Sequence, residues 1–229
     1  MARYQKKMDA FEFLQPTDFI DSGAPTVKAF AREAVGSAAE PREKVLRLYS
    51  AVRDGIVYDP YIDYGDAEFY RASSVIERGR TFCIGKAALL AAVARASGIP
   101  ARVGYADVKN HMTSRRLYEL MKTDEFLWHS YAELYLNGRW VKATPAFDLA
   151  LCEKVGLKPL DFDGETDSLF HEFDRAGKRH MEYLRDRGTY ADVPFDLLMA
   201  EFKKFYPQLF HAGHLDGEFR NEAVAGELG

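Results

Sequence analysis

The chain has 229 residues, 47% of them hydrophobic and 29% charged, with a formal net charge of −4. This is the composition of a soluble globular protein with room for a substantial core. The slight acidity, with no concentration of Lys or Arg, speaks against a nucleic-acid or anionic-membrane partner, and two cysteines are too few for a secreted disulfide framework. Residues 1–9 lack the apolar run of a signal peptide, so a cytoplasmic location is expected.

Residues 1–25 scatter Phe11, Phe13, Leu14, Phe19 and Ile20 among Pro16, Gly23 and Pro25, the pattern of an arm or short strand laid on the domain. Helices are expected at 27–35 and at 41–55, the latter with Pro41 in its first turn and Val45, Leu46, Leu48, Tyr49 and Val52 at helical spacing. A Tyr-rich loop follows from Ile56 to Gly65, then a short helix from Ala72 to Arg78 stopped by Gly79.

The next stretch organises the rest. From Ile84 to Ala96 nearly everything is apolar, with Lys86 and Arg95 the only charges, and Gly98 and Pro100 mark its stop. Ala and Leu favour helix, and apolar residues on every side make this a central, packed helix. Cys83 stands at its start, where unpaired N–H groups and the dipole favour a thiolate and can receive an oxyanion. A small buried hydrophobe is the bland alternative for any free cysteine.

Beyond Pro100 the period becomes two. Ala101 to Asp107 reads as a strand, while 109–125 is ambiguous. Asn137-Gly138 between the alternating runs 127–136 and 139–144 predicts a tight hairpin. In that register Leu136 faces Arg139, Tyr135 faces Trp140, Glu133 faces Lys142 as an ion pair, and His129 faces Ala146. His129, Tyr131 and Glu133 then share one face, and Thr144 and Asp148 have the parity to join it if the strand continues past Pro145. From Leu149 on, helices are expected at 168–177, 180–188 and 194–206, with a Gly-rich acidic tail after Phe210. No repeat or linker appears, so the expectation is one domain over 1–229, with a core at about 41–150 and a helical extension at 151–229.

A cysteine at a helix start, a histidine on a strand and an acidic or amide group on the next strand are the parts of a nucleophile, base and orienter. Three stretches in order carry a family resemblance: Arg78 to Cys83 with Ala87 to Leu90 and Arg95 to Arg102; His129-Ser130-Tyr131-Ala132-Glu133; and Gly138-Arg139-Trp140-Val141 leading to Thr144-Pro145-Ala146. Together they resemble the transglutaminase-like superfamily in its stand-alone bacterial form. The resemblance implies an α+β, papain-like fold, with a helical layer bearing Cys83 packed on an antiparallel sheet bearing His129. It also implies acyl transfer through a thioester on Cys83 without a cofactor. Thr144 stands where the family places an aspartate before the proline, leaving Asp148 as the nearest carboxylate. Asp148 is preferred as orienter for its charge, with Thr144 or a backbone carbonyl as alternatives.

The expected activity is a cysteine peptidase or amidase acting on a peptide or amide, rather than a cross-linker. The rival is a non-catalytic peptide-binding module of the same fold. Tyr58, Tyr61 and Tyr131 are the candidate substrate-binding residues. Cys152 reads as a packed thiol, and Asp161 to Asp167 as a solvated turn without the calcium-loop pattern. His211 and His214 have helical ligand spacing but no third ligand nearby, so no metal site is expected.

Overall fold

A computed structural model describes residues 10–111, 113–170, 177, 180–211 and 219–222. Its helices are α1 (Pro25–Val35), α2 (Pro41–Gly55), α3 (Ala72–Arg78), α4 (Cys83–Ala96), α5 (Arg115–Met121), α6 (Leu149–Val155), α7 (Phe195–Phe205), α8 (Gln208–His211) and α9 (Phe219–Glu222). Two short strands, β1 (Val57–Tyr58) and β2 (Arg80–Thr81), pair in parallel. The main sheet holds β3 (Ala101–Asn110), β4 (Glu125–Leu136), β5 (Arg139–Ala143) and β6 (Met181–Tyr190), in the order β5-β4-β3-β6 with every pair antiparallel. This is the expected α+β arrangement, a helical layer on an antiparallel sheet.

Helix α4 is the centre of that layer, and every residue from Cys83 to Arg95 is buried. It packs between α1, α2 and α3 on one side and β3 and β4 on the other. Its two charges act as tethers. Lys86 Nζ donates to the Arg53 and Ile56 carbonyls at the end of α2, both at 2.7 Å. Arg95 donates to the carbonyls of Gln15, Ala101 and Ala191, joining the N-terminal segment, β3 and the segment after β6. A Cβ at Gly85 would run into the Phe69 carbonyl oxygen and the Thr81 side chain, so the absence of one lets α4 lie close to the 67–81 segment.

The hairpin has the expected register, with Leu136 opposite Arg139, Tyr135 opposite Trp140 and Glu133 opposite Lys142. Asn137 and Gly138 both take positive φ, 51° and 85°, as a type I′ turn requires. Three expectations are corrected. Glu133 pairs with Arg102 of β3, at 2.6 Å, while Lys142 Nζ lies over the Tyr131 ring. Strand β5 ends at Ala143, so His129 has no strand partner at Ala146; Ser168 instead exchanges backbone hydrogen bonds with Lys142 and Thr144. The segment expected as a helix at 180–188 is β6, so the extension is helical from Phe195 but also lengthens the sheet. Its Met, Glu, Leu and Arg residues favour helix locally, and as an edge strand it buries too little to show a period-two pattern.

The N-terminal arm carries a 3₁₀ turn, Glu12–Leu14, rather than a strand. Most of the helix expected at 168–177 lies outside the described residues. No helix among the described residues is long and apolar enough to cross a membrane.

Candidate active site

Cys83 is the first residue of α4, and His129 lies on β4 one residue before Ser130. Both line one cleft of about 470 Å³, its open mouth included, with Tyr58, Tyr64, Phe82 and Trp128. Phe202, Tyr206 and Leu209 from the C-terminal extension complete its wall, so the extension narrows the cleft. The lining is mainly aromatic and aliphatic.

The backbone N–H groups of Ser130, Ile84 and Cys83 itself approach the Cys83 thiol and draw its pKa down. Burial is the larger effect and pushes it up, to about 11. The helix start therefore supplies donors, yet the resting group is a thiol rather than the thiolate the helix position alone suggests. Tyr58 and Tyr64 are also held up by burial, with the neighbouring Cys83 adding to it.

Strand β4 reaches His129 through a bulge. Ala106 of β3 faces His129, but Val108 faces Phe126, so β4 spends three steps against two on β3. Trp128 takes φ 62° there. Bulges commonly re-aim a side chain beside a site.

Asp148 is buried and caps α6, its Oδ1 accepting from Leu151 N at 3.0 Å, while Oδ2 accepts from Tyr58 N at 3.1 Å. It thus ties the hairpin's exit to the segment that carries Tyr58 to the cleft. Lys86 is near enough for Asp148 to raise its pKa, although burial dominates and pushes it down, to about 7. Thr144 is buried with its Oγ1 unpartnered among the described residues, and its carbonyl accepts from Tyr49.

Of the three tyrosines, Tyr58 lines the cleft. Tyr61 stands beside it and bonds Glu222 of α9, with Phe219 packed edge-on between Tyr58 and Tyr61. Tyr131 lies against Gly104, where a Cβ would strike its ring, and under Lys142; it is not among the residues lining the cleft. Cys152 is fully buried, and burial raises its thiol to about 12.

Sequence reading missed Trp128, Phe202 and Tyr206 as cleft residues. Trp128 adjoins His129, but only a register shift shows that it is the bulged position. No group of three or more His, Cys, Asp or Glu side chains among the described residues can hold a metal. His214 and the side chain of His211 lie outside the described residues.

Residues 28–145 match the family model for the transglutaminase-like superfamily, slightly over half of the chain. Among solved structures, the chain is similar to a candidate cysteine protease from Cytophaga hutchinsonii, at 19% identity and a TM-score of 0.46. The match covers 80% of this chain and 54% of that one, so the chain spans about half its length. No curated protein sequence gives a significant match.

Proposed function

Because the chain belongs to the transglutaminase-like superfamily, we propose that it is a thiol-dependent peptidase or amidase with Cys83 as nucleophile and His129 as base. The observation that carries this reading is the shared cleft of Cys83 and His129, with backbone donors converging on the thiol.

In the proposed reaction Cys83 Sγ attacks the carbonyl carbon of a peptide or amide, and His129 takes the thiol proton. The carbonyl electrons move to oxygen, and N–H groups at the start of α4 stabilise that charge. The intermediate collapses, the C–N bond breaks, and the amine leaves with the proton from His129, giving a thioester on Cys83. Water then attacks the thioester with His129 again as base. The acid leaves and the thiol is restored.

Water is preferred to an amine as acceptor because none of the described residues lining the cleft specifies an amine. The aromatic and aliphatic lining favours an apolar side chain on the acyl residue. Asp148 is the proposed orienter of His129, since its carboxylate can stabilise an imidazolium and a threonine hydroxyl cannot. The second reading, a peptide-binding module, is favoured by Thr144 standing in place of the family aspartate.

Turnover of a peptide and amide library decides between them, with Cys83→Ala as the blank. The proposal expects cleavage of peptides with apolar acyl residues, abolished in Cys83→Ala, and acid quenching that traps a thioester on the Cys83 peptide. Binding without cleavage, unchanged in Cys83→Ala, supports the module. In the same assay, loss of turnover in Thr144→Ala but not Asp148→Ala would move the orienter to Thr144.

A further inference from the structure

We propose that Tyr206, Asp107 and Arg187 are positioning residues that clamp the β4 bulge and so hold the His129 imidazole where it meets Cys83. This rests on the reading of Cys83 and His129 as a working pair.

The bulge inserts one residue between Phe126 and His129. Trp128, at φ 62°, is in the left-handed region that bulky side chains avoid. The other non-glycine residues with positive φ among the described residues, Lys122 and Asn137, sit at a helix end and in the hairpin turn. Trp128 alone among them lies inside a strand, so something must hold it there.

Two backbone donors at the bulge are taken by side chains. Leu127 N donates to the Tyr206 hydroxyl at 2.8 Å, and that hydroxyl donates onward to the Glu125 carbonyl at 2.7 Å, so one phenol fixes the chain where it enters the bulge. Trp128 N donates to Asp107 Oδ1 at 3.1 Å. Asp107 is itself buried and receives Arg187 through Nε and Nη2, at 2.8–2.9 Å. Arg187 continues to Glu201 of α7 at 3.3 Å and lies 5.0 Å over the Trp128 ring.

Arg187 is a bulged residue too. Tyr105 faces Gly188 and Ala106 faces Asp186, which leaves Arg187 unpaired, with Gly188 at φ 82°. A second shift on β6 falls between Asp107 and Val108, and the β4 shift falls between Ala106 and Val108. Asp107 thus stands beside a bulge in each neighbouring strand, and its carboxylate joins the Trp128 N–H to Arg187. The result is a rigid path from α7 and β6 to the residue preceding His129.

Iodoacetamide labelling of Cys83 against pH, read by peptide mass spectrometry on the full chain, tests this. Wild type is compared with His129→Ala, Tyr206→Phe and Asp107→Asn, with thermal unfolding recorded for each. Tyr206→Phe keeps the ring and loses both hydrogen bonds. Asp107→Asn leaves the cleft wall untouched, since Asp107 does not line it. Tyr58, Tyr64 and Tyr206, which share the cleft with His129, are all held far up by burial and stay neutral across the range.

The clamp predicts that both variants, still folded, label about ten- to a hundredfold more slowly at neutral pH, with profiles moved toward that of His129→Ala. Profiles that superimpose on wild type overturn it, whatever happens to thermal stability. If Asp107→Asn does not fold, Tyr206→Phe decides. If wild type already coincides with His129→Ala, the Cys83–His129 pair fails first, and the clamp with it.

Discussion

Cys83 and Lys86 lie within one turn of α4, and burial acts on them in opposite senses. The Cys83 thiol is raised from 9.0 to about 11 and Cys152 to about 12, while Lys86 is lowered from 10.5 to about 7. Each shift favours the neutral form, and each has a sign in stability. Between about pH 7 and 10.5 an unfolded lysine holds a proton that buried Lys86 does not, so stability rises with pH. Above about pH 9 unfolded cysteines lose protons that the folded thiols keep, and stability falls. The buried tyrosines, among them Tyr58, Tyr70 and Tyr105, are raised above 10.0 and add to that fall. The urea midpoint should therefore climb from pH 7, peak near pH 9 and drop steeply by pH 11; a profile that still rises beyond pH 10 contradicts this. Lys86→Met should remove the rising arm, because among the described residues burial lowers no other cation so far, Arg95 included.

At the scale of elements, legibility followed the strength of local chemistry. Helix α4 was readable because its composition admits no exposed face, and the hairpin because Asn-Gly suits the one turn with positive φ at both central residues. Gly138→Ala should accordingly cost about 1–2 kcal/mol in urea unfolding, from the left-handed penalty alone; an unchanged midpoint would mean that the turn does not set the register. Strand β6 was not readable, because Met181, Glu182, Leu184 and Arg185 favour helix and its role is to pair as an edge. Past Ala143 the pattern also misled. Pro145 ends the strand, and Asp148, which precedes an apolar run, carried a helix-cap signal that the hairpin parity overshadowed. The bulge before His129 left no signal at all, since it depends on Asp107 and Tyr206, which are distant in sequence.

For the whole molecule, the family core supplies the cysteine, the histidine and most of the sheet, and the C-terminal extension completes the cleft. Phe202, Tyr206 and Leu209 wall it, and β6 brings Arg187 to the strand that faces His129. The central claim is that His129 takes the proton from a thiol that burial keeps protonated. It is tested most directly by the pH dependence of Cys83 alkylation in wild type and His129→Ala, with Cys152 as the internal comparison. Wild-type Cys83 should label near neutrality, far ahead of Cys152. In His129→Ala labelling should wait for distinctly more alkaline pH, because burial holds the thiol up. Wild-type labelling that also waits for that pH, or that favours Cys152, would contradict it.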